Sequence, residues 1–323
     1  MRAVVFTGAG GNEHISVSER DDPEIAGDEV LVEVTVAGLN PADLQQREGR
    51  YPAPAGVVQD VPGLEVAGTV VEVGEGVTNW SPGDRVFGLV AGGGLASRVA
   101  VHERCVTRVP ERFDDQEAAA IPEVFITAHD ALTTQGALRS GETVLVQGAS
   151  GAVGCAAIQI ARSLGADVLG VVRSAPAAEL VRALGAEPVD AGPFGPQALE
   201  HTGGLGVDLV LELVGASNLA QDLDILALRG RIVVISVASG TTAQIDLLRL
   251  MVRRATIRGT VLRARPVEEK ATAIEAFARE VVPLLEEGRA RPLVDSVFAA
   301  DDVGAAFDRL AEPGRSGKVL VRF

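Results

Sequence analysis

Cysteine, lysine, aromatic residues and long apolar runs are all scarce in this chain of 323 residues, and each scarcity narrows what it does. Two cysteines, Cys105 and Cys155, are too few for a disulfide framework or a multi-thiolate metal site, so a reducing compartment is expected. No apolar run approaches the roughly 18 residues that cross a bilayer. The N-terminus, MRAVVFTGAGGNEH, shows no long apolar stretch with a small-residue cleavage pattern after it, and a cytoplasmic location is the expectation. Only 29 basic residues face 44 acidic ones, a formal net charge of −15. That balance argues against nucleic acid or an anionic membrane as the main partner, because phosphate binding needs clustered positive charge. Lysine is confined to Lys270 and Lys318, a bias that carries no mechanistic weight. The four histidines, His14, His102, His129 and His201, are scattered, with none of the paired spacings that bind metals.

What remains is a chain that is 47% hydrophobic, enough for one large domain or two ordinary ones. The first third reads as β-rich: VLVEVTVAG (30–38), VAGTVVEVG (66–74) and DRVFGLV (84–90) are β-branched, Gly-bounded runs of strand length. From about residue 118 the texture changes, through EAAAIPEVFITAHDALTTQGAL, into regular alternation. TVLVQ (143–147), DVLGVV (167–172) and VDLVLELVG (207–215) each precede a helix-like segment, and RIVVIS (231–236) closes the series. Short apolar strands alternating with helices predict a parallel sheet covered on both faces. After TIRGTVL (256–262) the alternation stops, and the tail, ending in the strand KVLVRF, is expected to rejoin the N-terminal region.

Between TVLVQ and CAAIQIARSLGA lies GASGAVG (148–154), spaced G-x-x-G-x-x-G rather than G-x-G-x-x-G. Its strand–turn–helix setting places backbone N–H groups and a first helical turn where a pyrophosphate is bound. Gly148, Ser150, Gly151, Ala152, Val153 and Gly154 are therefore candidate cofactor contacts, Gly151 for close approach to phosphate and Gly154 for close helix packing. An NAD site places a carboxylate about 20 residues on, after the second strand, whereas an NADP site has Arg and small polar residues. Here DVLGVV runs into Arg173 and Ser174, and no carboxylate occurs from Leu169 until Glu179, so NADPH is expected over NADH. Val214, Gly215 and Val237 follow later strands at the sheet's carboxyl edge, where ligands sit.

Taken together, GDEVLVEVTVAGLNPAD (27–43), VPGLEVAGTVVEVGEGV (61–77), SPGDRVFG (81–88), GASGAVG, ARSLGA (161–166), VDLVLELVG and GRSGKVLV (314–321) resemble the medium-chain dehydrogenase/reductase superfamily across essentially the whole chain. Within it the chain is similar to the zinc-independent, zeta-crystallin-like quinone oxidoreductases. The resemblance implies an α/β fold: a Rossmann doubly wound parallel sheet (121–263) inserted in a β-rich GroES-like catalytic domain (1–120, completed by 264–323). In zinc-dependent relatives a cysteine ligand stands where this chain has Asn40 and a histidine ligand where it has Leu64, and leucine cannot ligate zinc. The four-cysteine structural lobe is also missing, so no metal is expected. Glu65 beside the lost ligand is expected to be a structural carboxylate, which must be paired to persist when buried, and Asp43 to brace the helix that follows.

Without a Lewis acid, hydride transfer to an electron-poor quinone is the expected reaction. A related enone or enoyl reductase acting on a conjugated C=C is the alternative, and a cofactor-binding protein with little turnover a third reading. The resemblance places Asn40 and Tyr51, the only tyrosine, at the acceptor: Asn40 as hydrogen-bond donor to the acceptor oxygen or the nicotinamide amide, Tyr51 to orient substrate or relay a proton. It also implies that Thr127 contacts the nicotinamide, that Leu262 and Arg263 border the substrate, that Lys318 lies near the cofactor, and that the chain forms a homodimer through an edge strand near 256–262. Aromatic content of 3% points to a substrate pocket lined by aliphatic side chains.

Overall fold

A computed structural model describes residues 1–323. The chain forms two compact units, one made of Met1–Ile126, Leu262–Glu287 and Pro292–Phe323, the other of Thr127–Val261 with Gly288–Arg291. In chain order the strands of the first are β1 (Arg2–Phe6), β2 (Ile15–Glu19), β3 (Glu29–Leu39), β4 (Glu65–Val73), β5 (Arg85–Leu89), β6 (Arg98–His102) and β7 (Val106–Arg108). The second unit contributes β8 (Thr143–Val146), β9 (Asp167–Val172), β10 (Glu187–Asp190), β11 (Val207–Glu212), β12 (Leu226–Val234) and β13 (Thr256–Gly259). β14 (Val294–Ala299) and β15 (Lys318–Arg322) return to the first.

In the first unit, seven strands form one sheet in the order β14-β15-β3-β4-β5-β7, with β6 also on β3. β3 is the spine. Its β-branched residues Val30, Val32, Val34 and Val36 are buried, and Leu39 and Gly38 lie opposite Val319 and Leu320 of antiparallel β15. The terminal strand is thus stitched to a strand near the other end of the chain, and β4 pairs with β3 on its other side, Glu65 facing Gly38.

The second unit holds six parallel strands in the order β10-β9-β8-β11-β12-β13. The order reverses at β8, so the carboxyl ends of β8 and β11 form the switch point where such sheets take ligands. Leu145, Leu169, Val210 and Ile232 of the strands pack with Phe194 and Leu223 of flanking helices Phe194–His201 and Leu219–Asp224. The strand expected as RIVVIS begins earlier, at Leu226. Its first residue pairs with Val207, the register shifts before Leu209, and Arg229 takes a left-handed φ of 66° that lets the chain rejoin the ladder. No helix is long and apolar enough to cross a membrane.

Candidate active site

In the second unit β8 delivers the chain through Gln147 to the glycine loop and the helix Ala152–Ser163. The helix N-cap, Gly151, offers no side-chain acceptor, so the first-turn N–H groups of Ala152, Val153 and Gly154 have no partner within the helix. The helix sits hard on the loop: a Cβ at Gly154 would lie 2.6 Å from the Ala149 carbonyl oxygen and 2.7 Å from that of Gly148. Ser150 lies within this loop. After β9, Arg173 is exposed, and Ser174 Oγ accepts the Ala177 N–H at 3.4 Å, capping the helix Ala175–Ala183.

Two buried carboxyls brace the strand ends. Glu212 Oε1 accepts the N–H groups of Val214 and of Gly215, the latter at 2.7 Å, and Gln147 Nε2 donates to Asp222 Oδ1 at 2.7 Å. Burial, reinforced by the adjoining Glu212, pushes Asp222 up to about 9, so this pair carries a proton at neutral pH. The loops after β8 and β11 are thereby tied to one hydrogen-bonded support. Val237 is exposed at 47%, and Thr127 Oγ1 is buried without a hydrogen-bond partner. A row of unbonded N–H groups, a glycine that only a bare Cα fits and an orphaned hydroxyl suit a bound dinucleotide.

The first unit contains a buried polar cluster, and it unites residues that sequence reasoning had treated separately. Asn40 Nδ2 donates to Glu65 Oε1 at 2.9 Å, and Asn40 Oδ1 accepts from Lys318 Nζ at 2.6 Å. Lys318 Nζ also donates to the Leu39 carbonyl at 2.9 Å and forms an ion pair with Glu65. The three ammonium protons therefore meet three acceptors. Lys318 directs its charge into this cluster, 3% exposed, against a fully buried Glu65. The Glu65 carboxylate fits because its cross-strand neighbour is Gly38, where a Cβ would lie 2.3 Å from Oε1. Asp43 braces the helix Pro41–Arg47 by accepting the Asn40 N–H at 2.8 Å, and it also takes the Gly63 N–H at 3.1 Å. Burial raises Asp43 to about 6 even so.

Arg263 extends the cluster. Its guanidinium donates to the Ala91 carbonyl at 2.8 Å and to Gln46 Oε1 at 2.5 Å, and lies over the Tyr51 ring, 5.2 Å from the centroid. Tyr51 is half-buried, which pushes its phenol up. Leu262, adjoining, is buried.

Residues 26–111 match the alcohol dehydrogenase GroES-like domain, and residues 152–279 match the zinc-binding dehydrogenase family. The quinone oxidoreductase of Homo sapiens is 31% identical over 99% of this chain and 97% of its own. The chain belongs to the medium-chain dehydrogenase/reductase family, in the quinone oxidoreductase branch. Another member, the acryloyl-coenzyme A reductase of Metallosphaera sedula, is 31% identical over 99% of both chains. The crystal structure of the quinone oxidoreductase from Thermus thermophilus, solved also in complex with NADPH, superposes with a TM-score of 0.85 at 36% identity over 100% of both chains. As a medium-chain dehydrogenase/reductase, the protein is an oxidoreductase.

Leu64 has no lone pair, the Asn40 oxygen is taken by Lys318, and the Glu65 carboxylate is held by Asn40, Lys318 and the Glu123 N–H at 2.8 Å. No three His, Cys, Asp or Glu side chains gather to hold a metal. Two residues of this medium-chain dehydrogenase/reductase escaped sequence reasoning: Glu123, an acid after Pro122 in an otherwise apolar stretch, and Asp222.

Proposed function

We propose that the protein reduces quinones with hydride from NADPH and without a metal ion. The carrying observation is the Asn40 amide, fixed between Glu65 and Lys318 in a cluster that already contains its own cation. A bound nicotinamide supplies the hydride. An electron-poor acceptor needs no Lewis acid, and one oriented N–H donor suffices for the oxygen on which charge builds. Asn40 commits one amide proton to Glu65. The other meets the Gly38 carbonyl only at 3.5 Å, the outer limit of a hydrogen bond, and is the one offered to an acceptor oxygen. Tyr51 orients the acceptor, Leu262 supplies apolar lining, and Lys318 acts through Asn40 as a positioning residue. Gly148, Ser150, Gly151, Ala152, Val153 and Gly154 hold the pyrophosphate; Thr127, Val214, Gly215 and Val237 border the remainder of the cofactor. Arg173 and Ser174 take the 2′-phosphate, a reading supported by the NADPH complex of the Thermus relative.

The acryloyl-coenzyme A reductase relative favours a second reading, reduction of a conjugated C=C on the same machinery. NADPH oxidation measured against ortho- and para-quinones, enones and enoyl thioesters, with and without a chelator, separates the two. Chelator-insensitive quinone turnover is expected. Chelator-sensitive alcohol oxidation, or cofactor binding without turnover, overturns the proposal. Arg173→Ala is expected to narrow the ratio of NADH to NADPH dissociation constants about tenfold, or ~1.4 kcal/mol; equal affinities in the parent would refute the NADPH assignment.

We also propose a homodimer through the free edge of β13. The neighbouring helix Leu247–Arg253 exposes Leu247, Leu248, Met251 and Val252 at 63–71%, an apolar face close in sequence to that unpaired edge. Sedimentation velocity should show a dimer for the parent and a monomer for Met251→Glu. A monomeric parent at micromolar concentration rejects this.

A further inference from the structure

Resting on the quinone-reduction reading, we infer that the carboxyl group of Glu123 is the proton donor of the reaction, serving the acceptor oxygen bordered by Asn40 and Tyr51. The hydrogen-bond donors of the cluster lead to it. Asp43, Glu65 and Glu123 are three carboxyls in one cluster with two buried cations, Arg263 and Lys318. Asp43 accepts two backbone N–H groups; Glu65 accepts Asn40, the Glu123 N–H and Lys318. Each of those two carboxyls is thereby held by its own donors. Glu123 is the third acid of the cluster. Its backbone anchors it to Glu65, but its side chain receives none of these bonds.

Burial, then the charge of Glu65 and to a lesser degree Asp43, lifts Glu123 to about 7 against the pull of Lys318 and Arg263. The other titratable groups facing it are the Tyr51 phenol and, from the helix Val267–Glu280, the half-buried Lys270. Glu123 lies in a π-helical turn, Pro122–Ile126, a wide turn that recurs at functional sites. Unlike Asp43 and Glu65, which are wholly buried, the Glu123 residue keeps part of its surface exposed.

In the step, hydride from NADPH brings two electrons to the quinone, which becomes an anion as the nicotinamide is oxidised. The Glu123 O–H bond breaks, an O–H bond forms on the acceptor oxygen to complete the hydroquinone, and water reprotonates the carboxylate. The donor is the protonated form. Parent kcat/KM is therefore expected to be level below pH about 7 and to fall about tenfold per unit above it.

The experiment compares pH profiles of the full-length parent, Glu123→Gln and Glu123→Asp with a para-quinone, alongside NADPH dissociation constants and thermal midpoints. Glu123→Gln is expected to lose about 10²–10⁴-fold in kcat/KM at pH 6, to show no limb near 7, and to keep NADPH affinity within twofold. Glu123→Asp is expected to recover part of the rate with a displaced limb. An unchanged limb in Glu123→Gln overturns the inference, as does an unchanged limb in Glu123→Asp should the Gln variant not fold. A purely structural Glu123 would move the thermal midpoint and leave the limb in place. A parent without quinone turnover overturns the underlying reading, a result distinct from either.

Discussion

Substituting Lys318 with methionine will destabilise the unit that contains it by about 3–5 kcal/mol, the cost typical of removing one partner of a buried ion pair. Methionine preserves the apolar stem, so packing is little changed and the loss is electrostatic. Glu65, fully buried, would lose its ion-pair partner, and Asn40 Oδ1 and the Leu39 carbonyl would lose their donor. Trp80, the only tryptophan, lies in this unit, its indole N–H on the Glu103 carbonyl at 2.8 Å, so urea titration followed by its fluorescence reports the right transition. Adding Glu65→Gln to Lys318→Met should recover more than half of the loss, because the unpaired carboxyl is then gone. A single-variant loss under about 1 kcal/mol would make the pair no stronger than a surface one, and the fixed Asn40 amide would need another cause.

This cluster also marks where the sequence stops being readable. Each of these elements obeys local physics: the β-branched runs at 30–38, 66–74 and 167–172 and the strand at 143–147 correspond to β3, β4, β9 and β8, within a residue or two at each end, while the helix expected from Cys155 already starts at Ala152. β10 escaped because EPVD joins a proline to two acids, and only its parallel pairing with β9 makes it a strand. Residues 40, 65 and 318 meet through the register of two antiparallel pairings, a property of the whole sheet and not of any window of sequence. The need for a partner to Glu65 was legible; its identity was not. A signal existed: one of only two lysines opens the apolar strand KVLV, where a charge stays only if something inside answers it. Glu123 in AAAIPEVFI carried the same signal. Asp222 did not, because it looks like any polar position of a surface helix until the Gln147 and Glu212 side chains are seen to converge on it.

Gly154→Ala will lower NADPH affinity about 100-fold, ~2.7 kcal/mol, and will lower the thermal midpoint as well. The added methyl would meet two backbone carbonyls, those of Ala149 at 2.6 Å and Gly148 at 2.7 Å, and backbone does not rotate aside as a flexible side chain does. Either the helix Ala152–Ser163 rises or the loop gives way, and both movements shift the N–H groups of the first turn. Gly151→Ala separates the two consequences. Its Cβ would lie 3.2 Å from the Gly148 carbonyl oxygen, a tight contact that a shift of a few tenths of an ångström relieves, and Gly151 has an ordinary φ of −71°, so the cost to the fold is far smaller than at Gly154. The same methyl stands where a ligand would approach the main chain. Gly151→Ala should therefore keep the parent's thermal midpoint within about 2 °C while losing NADPH affinity at least tenfold by titration calorimetry. If it binds NADPH as the parent does, residues 148–154 are a packing turn and the pyrophosphate lies elsewhere.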